Sequence, residues 1–297
     1  ATDSIIPLLK KGDLYIIEST SPVGTTEQMR NRIFNKRPEL KERIHIAYCP
    51  ERVLPGNVMY ELVNNDRVIG GVDIKSTERA IEFYKKFVKG TLHATNARTA
   101  EMCKLVENSS RDVQIAFANE LSIICDKENI QVNELIALAN KHPRVNILNP
   151  GCGVGGHCIA VDPYFIISKH PLESKIIGAA REINNYKSFW VVEKILGEVL
   201  AFEKENARKP NIALLGLAFK PNIDDLRESP ALYIAKKIQS YLSSENVRYV
   251  EPNIEHHDLI PISTLDEAMK HSEIMFVLVG HSEFSDLDSG TARVVKF

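Results

Sequence analysis

Asp13-Leu-Tyr-Ile-Ile-Glu-Ser-Thr-Ser-Pro-Val-Gly-Thr-Thr-Glu-Gln-Met-Arg-Asn-Arg-Ile-Phe34 decides the fold class. The apolar run Leu14 to Ile17 is short and β-prone, which reads as a buried strand. Pro22 and Gly24 break it, and Thr25 and Thr26 are suitable N-caps for a helix through Phe34. Before this stretch, Ala1 to Lys10 look like the end of a helix. After it, Ile44 to Tyr48 and Arg67 to Gly71 read as strands, Ile74 to about Val88 as a helix, and Thr91 to Ala94 as a short strand. Such alternation predicts an α/β fold with a largely parallel sheet covered by helices. The chain is thus expected to begin inside that sheet.

Further along, Ala97 to about Ala139 holds almost no Gly or Pro. Met102, Leu105, Val106, Val113, Ile115, Ala116, Leu121 and Ile124 recur at helical spacing, predicting one long helix broken once or twice. A loop rich in Pro and Gly, Pro143 to Gly156, ends it, and a second long helix runs from about Ser174 to Phe202. After the polar linker Glu203 to Pro210, a second α/β unit is expected. Its strands are Asn211 to Leu215, Val247 to Val250 and Ile274 to Val279, with a helix over Pro230 to Leu242. The expected parts are residues 1–96, 97–205 and 206–297, the last ending abruptly.

Bulk properties narrow the function classes. The 297 residues exceed the size at which one core usually keeps growing. Lys and Arg number 37 against 39 Asp and Glu, a net charge of −2, with no like-charged run fit to track a nucleic acid or an anionic membrane. The five cysteines, 49, 103, 125, 152 and 158, include no close CxxC pair, which speaks against a disulfide framework or zinc ribbon and for a reducing, cytoplasmic setting. No stretch approaches the ~20 apolar residues that span a bilayer.

Chemistry concentrates in Gly151-Cys-Gly-Val-Gly-Gly-His-Cys158. Its glycines permit positive φ and close backbone approach, presenting Cys158 on a tight turn. A thiol so placed is either a nucleophile or a small buried hydrophobe. A metal site from Cys152, His157 and Cys158 matches no common zinc spacing. Gly151, Gly153 and Gly156 satisfy GxGxxG, but a polar stretch and Pro150 precede them where the dinucleotide fingerprint needs a strand, and Pro163 falls where its helix would run. Lys104 and Asn108 stand four apart, on one helix face, able to steady an oxyanion or simply to be solvated. Thr20 and Glu51 follow strands, where α/β enzymes place ligand contacts, and are otherwise ordinary loop residues.

Taken jointly, five segments carry more. Glu18-Ser-Thr-Ser-Pro-Val-Gly-Thr-Thr26, Pro50-Glu-Arg-Val-Leu-Pro-Gly56, Glu101-Met-Cys-Lys-Leu-Val-Glu-Asn108, Gly155-Gly-His-Cys-Ile-Ala-Val-Asp162 and Gly216-Leu-Ala-Phe-Lys-Pro-Asn-Ile-Asp-Asp-Leu-Arg-Glu-Ser-Pro230 together resemble the UDP-glucose/GDP-mannose dehydrogenase family, in that family's order and over nearly the whole chain. The resemblance implies a Rossmann-like NAD domain, a central helical dimerisation domain and a C-terminal Rossmann-like domain for the UDP-sugar. In the family a glycine-rich cofactor loop stands roughly a hundred residues before the Ser-Thr-Ser-Pro motif. Only Ala1 to Glu18 precede it here, so the NAD domain is expected to be incomplete.

The implied activity is four-electron oxidation of a sugar C6 alcohol to a carboxylate, two hydrides passing to two NAD⁺ in turn through a thioester. The resemblance makes Cys158 the nucleophile. It gives Lys104, Asn108 and Asp162 the oxyanion and an ordered water, and Thr20 and Glu51 the proton transfers. Lys220 and Gly155 match nucleotide-sugar contacts, as does Arg144 more loosely, from a neighbouring subunit. Ser19, Thr20 and Arg227 match contacts to the cofactor, and no metal is implied. Two departures bear on substrate: Pro55 stands where glucose-type relatives often have a second Glu, and Ala160-Val161 replaces their Pro-Lys. Both agree with a UDP-N-acetylhexosamine, UDP-N-acetyl-D-mannosamine being the expected one. The rival readings are a two-electron β-hydroxyacid dehydrogenase, which needs no thiol, an inactive dimeric nucleotide-sugar-binding core, and another nucleotide-sugar 6-dehydrogenase of the same family.

Overall fold

Apolar residues of the strands alternate between two cores, and this is what builds each layer. The computed structural model describes residues 1–53, 57–285, 287, 290 and 292–297, so Pro55 and the end of the segment 50–56 lie outside the described residues. The chain forms two compact units. One comprises residues 1–108 and 164–169, the other residues 109–163 and 170–297. Helix α5, Ala97–Glu128, and helix α7, Asp162–Lys169, each contribute residues to both.

The first unit opens with α1 (Thr2–Ile5) and contains β1 (Leu14–Ile17), α2 (Thr25–Lys36), β2 (His45–Tyr48), α3 (Val58–Asn64), β3 (Arg67–Gly71), α4 (Ile74–Tyr84) and β4 (Leu92–Asn96). The sheet order is β1-β2-β3-β4. β1 pairs with β2, and β3 with β4, in parallel, but β2 meets β3 antiparallel through Ala47↔Gly71 and Tyr48↔Gly70. Alternation along β2 sends Ile46 to a core with Ile33 of α2, and Ala47 to one with Ala80 and Tyr84 of α4. Asp73 caps α4, its carboxylate accepting from the Ser76 amide at 2.7 Å. The expected Thr25 and Thr26 caps are not made. Gly24 is the N-cap residue of α2 and a carboxylate from α5 takes the orphan amides.

In the second unit, α5 continues to Glu128, breaks where Asn129 adopts φ 55°, and is followed by α6, Val132–Ala139. Helix α8, Lys175–Asn206, runs past the point where a linker was expected, because Glu203 to Asn206 still support helix. A buried Arg181–Asp112 ion pair at 2.7 Å joins α8 to α5, with the Asn184 amide donating to the same carboxylate oxygen at 2.8 Å. The sheet that follows has β5 (Ile212–Leu215), β6 (Val247–Val250), β7 (Ile274–Val277) and β8 (Arg293–Lys296), ordered β6-β5-β7-β8 and wholly parallel. Ile212, Leu214, Ile274 and Phe276 face a core with α8 and α9 (Pro230–Tyr241). Ala213, Leu215, Met275 and Val277 face one with α10, Leu265–His271. Strands covered on both faces read as continuous apolar runs, as β5 and β7 do. Strand order reverses between β5 and β7, the arrangement in which open α/β sheets tend to place ligands at the strands' carboxyl ends.

Among the described residues no helix is long and apolar enough to cross a membrane.

Candidate active site

The cysteine loop of the second unit is held residue by residue. The Gly151 amide donates to Oδ1 of Asn119 on α5 at 2.9 Å, and Ser188 Oγ on α8 donates to the Cys152 carbonyl at 2.8 Å. Cys152 itself points inward: its Sγ donates to the Leu278 carbonyl at 3.2 Å, it is 5% exposed, and burial pushes its thiol up to about 12. Such a thiol is a poor nucleophile. The Gly156 amide donates to the Arg227 carbonyl at 3.2 Å, and its φ of 79° is the left-handed conformation that favours glycine. A Cβ there would stand 3.0 Å from the Phe219 ring. Beyond this turn the Cys158 carbonyl accepts from the amides of Val161 and Asp162, at 3.1 and 2.8 Å, which starts α7. Cys158 is half-buried and Asp162 buried. The five cysteines form no disulfide.

A second loop, Gly216 to Pro230, leaves the carboxyl end of β5. Glu251, just after β6, accepts from the Leu217 and Ala218 amides at 2.6 and 2.9 Å on one oxygen. These are the amides that in a dinucleotide-binding βα turn face a phosphate, so a side chain of the protein fills that seat. Lys220 is exposed, its Nζ 5.8 Å from the Phe219 ring centroid. Arg227 pairs with Asp225 at 2.6 Å, and its backbone, as above, pins the Gly156 turn. The loop therefore brings Arg227, Phe219, Gly155 and the approach to Cys158 together. Arg144 lies exposed beyond α6.

The first unit carries Ser19, Thr20, Glu51, Lys104 and Asn108. Ser19 is exposed and Thr20 half-buried after β1. Glu51 accepts from the Arg52 and Val53 amides at 2.6 and 2.9 Å, and the buried Arg67 brings a guanidinium nitrogen within 3.9 Å of it. Arg67 is held by the Leu62 carbonyl at 3.2 Å and by the Tyr84 ring, 5.3 Å from its centroid. Lys104 and Asn108 are half-buried one turn apart on α5. A turn before Lys104, Glu101 accepts from the Gly24 amide at 2.5 Å and from the Thr26 amide and hydroxyl at 2.7 and 2.6 Å. It ties the Ser19 to Thr26 loop to the lysine's helix.

Sequence reasoning missed Glu101, Asn119, Phe219, Glu251 and His281. Glu101 and Phe219 stand inside quoted motifs, so proximity to Lys104 and Lys220 was a signal for them. Asn119, Glu251 and His281 carried none, because their partners lie far along the chain. Among the described residues no three His, Cys, Asp or Glu are arranged to hold a metal ion.

The UDP-glucose/GDP-mannose dehydrogenase family matches the chain in three consecutive parts: its NAD binding domain over residues 1–88, its central domain over 98–186 and its UDP binding domain over 213–296. The chain belongs to the UDP-glucose/GDP-mannose dehydrogenase family. It is similar to the UDP-N-acetyl-D-mannosamine dehydrogenase of Escherichia coli K12, 53% identical over 300 residues that cover 96% of this chain and 71% of that one. The enzyme of the same name from Campylobacter jejuni is 54% identical over 312 residues, covering 100% and 75%. The structure of the Pyrococcus horikoshii UDP-D-ManNAc dehydrogenase superposes with a TM-score of 0.86 at 38% identity, covering 99% of this chain and 71% of that one.

As a member of this family the protein is an NAD-dependent nucleotide-sugar dehydrogenase with Rossmann-like α/β domains. Glu101 occupies the α2 N-terminus through the Gly24 and Thr26 amides, so those donors are taken by a side chain of the protein, while the hydroxyl residues Ser19 and Thr20 after β1 are exposed and half-buried.

Proposed function

We propose that the protein oxidises the C6 alcohol of UDP-N-acetyl-D-mannosamine to the uronate through a thioester on Cys158. The observation that carries this is the contrast between the two thiols of one loop: Cys152 is buried with a raised pKa, while Cys158 is half-exposed on a turn fixed from both sides. The substrate follows from the names of relatives more than half identical to this chain.

Bound NAD⁺ supplies the hydride acceptor for both oxidations. In the first, Thr20 and Glu51 handle the proton that leaves the C6 hydroxyl, and the product is an aldehyde. The Cys158 sulfur then bonds to the aldehyde carbon and its proton ends on the oxygen, giving a thiohemiacetal. Loss of a second hydride and that hydroxyl proton leaves the thioester. Water, ordered by Asp162 and Asn108, adds to the carbonyl, the C–S bond breaks, and carboxylate and thiol are released. Lys104 supplies positive charge to the oxyanion at each tetrahedral stage. Lys220 and Gly155 contact the nucleotide sugar, Arg144 reaches the neighbouring subunit's substrate, and Arg227 faces the cofactor phosphates.

The protein acts as a cytoplasmic homodimer through its long helices. Phe117 and Ile124 on α5, and Tyr186, Phe189 and Leu200 on α8, are exposed, which favours an apolar interface. Two NADH per sugar and a uronate product are expected. One NADH per sugar, with an aldehyde or ketone as product, would refute the thioester route, and a strictly monomeric mass in light scattering would refute the dimer.

A further inference from the structure

His281 and Glu251 are fully buried beyond the carboxyl ends of β7 and β6, and none of the proposed catalytic steps uses them. Their hydrogen bonds fix the proton. His281 Nδ1 accepts from the Asn222 amide at 2.9 Å and faces the Asn253 side-chain amide at 3.1 Å, so its lone pair is on Nδ1. The ring proton therefore sits on Nε2 and is donated to Glu251 Oε2 at 3.1 Å. That same oxygen holds the Leu217 and Ala218 amides, and Oε1 accepts from Asn253.

One carboxylate and one imidazole thus grip the loop on both sides of Lys220: Glu251 at 217 and 218, His281 at 222. Asn222 takes φ 61°, and its Oδ1 accepts from the Ser282 amide at 2.9 Å, so the far grip is double. Gly216 is forced at the near end, its φ being 86° and a Cβ there falling 2.5 Å from the Val279 carbonyl oxygen. Phe219, inside the gripped segment, is the surface against which Gly156 turns. A contiguous path runs from the buried pair to the exposed lysine and to the turn before Cys158.

We propose that Glu251 and His281 form a buried clamp that positions Lys220 for the nucleotide diphosphate, with the Nδ1 lone pair of His281 as the element that sets the loop. This rests on the reading of Lys220 as a nucleotide-sugar contact. Both residues are positioning residues and touch no substrate. The consequence is specific: the loop's affinity for diphosphate depends on an acceptor at the Nδ1 position and not on the imidazole as such.

The test uses UDP as probe, by calorimetry on the whole protein, with two replacements that split the ring's functions. In His281→Asn the side-chain oxygen overlays Nδ1 and keeps the acceptor for Asn222. In His281→Gln the amide overlays Nε2, keeps the donor to Glu251 and gives up that acceptor. His281→Gln is expected to bind UDP ~10-fold more weakly while His281→Asn stays within ~3-fold of wild type. Hydrogen exchange at the Asn222 amide is expected to quicken by ~10-fold or more in His281→Gln, with Leu217 and Ala218 still protected. Combined with Lys220→Ala, His281→Gln should weaken UDP no further, since both act through one contact. A merely structural histidine would cost the same with or without the lysine. Equal affinities for the two variants, an unchanged Asn222 amide, or full additivity with Lys220→Ala would overturn the clamp. No UDP binding by the wild type, or no loss in Lys220→Ala, overturns the site itself, and the clamp with it.

Discussion

Glu101 and Thr26 are joined by two hydrogen bonds to one carboxylate oxygen, from the Thr26 amide at 2.7 Å and its hydroxyl at 2.6 Å, while the other oxygen takes the Gly24 amide. A buried carboxylate thus sits at the positive end of α2, where charge and orphan amides both favour it. Glu101→Gln presents an NH₂ to one of those donors and leaves a buried group unmatched. A loss of about 2–3 kcal/mol in urea-unfolding free energy is expected. A loss below about 0.5 kcal/mol, the size of an ordinary surface change, would show that the cap contributes little.

The two loop thiols should react at very different rates. With Cys152 buried and its pKa near 12, only about one molecule in 10⁴ carries that thiolate at pH 8. Peptide mapping after brief iodoacetamide treatment should find Cys158 alkylated and Cys152 untouched. Cys158→Ala should abolish uronate formation and Cys152→Ala should retain most of it. Labelling of Cys152 first, with activity lost in step, would reverse the assignment.

Gly156→Ala meets both a left-handed φ and the Phe219 ring, whereas a Cβ at Gly151 meets nothing within 4 Å. The first substitution should cost about 1–3 kcal/mol and slow turnover, and the second should be near neutral. Thermal unfolding of the pair, measured side by side, decides it. Equal melting points would show that the turn is not strained.

Lys187 is a cation 1% exposed, its Nζ donating to Ser122 Oγ at 2.7 Å and lying 3.8 Å from the Trp190 ring centroid. Burial holds its pKa down to about 8. The folded state therefore binds this proton less tightly than the unfolded chain, and stability should rise with pH from about 8 to ~10.4 through this group. Lys187→Met should flatten that rise and raise the melting temperature at pH 7. A lower melting temperature for Lys187→Met at pH 7 would count against it.

Glu251 shows the opposite sign. Burial raises its pKa, but donors from His281, Leu217, Ala218 and Asn253 outweigh that and bring it down to about 2. Its contribution is complete above the unfolded carboxyl pKa of ~4.3 and is lost as pH falls through about 2. Glu251→Gln should be less stable at pH 7 and less sensitive to acid between those values. Parallel acid limbs for the two proteins in denaturant titrations would disprove it.

How much was legible depended on range. The alternation of apolar runs and helical segments placed strands 14–17, 45–48, 67–71, 212–215 and 247–250, because burial of a strand face is written in consecutive residues. The Gly151 to Cys158 loop stood out for the same reason, since backbone freedom is a local property. Helices 58–64, 162–169 and 265–271 and the strand 293–296 went unread, being short and weakly patterned.

By itself, then, the sequence determined the α/β class and the family, both carried by short segments whose residues are near one another in the chain. Only the tertiary structure decided that β2 and β3 run antiparallel, that Glu101 caps a helix 75 residues away and that Glu251 is matched to His281 across 30. Such pairs form because a buried charge must find donors wherever the fold brings them, and periodicity carries no record of partners that distant.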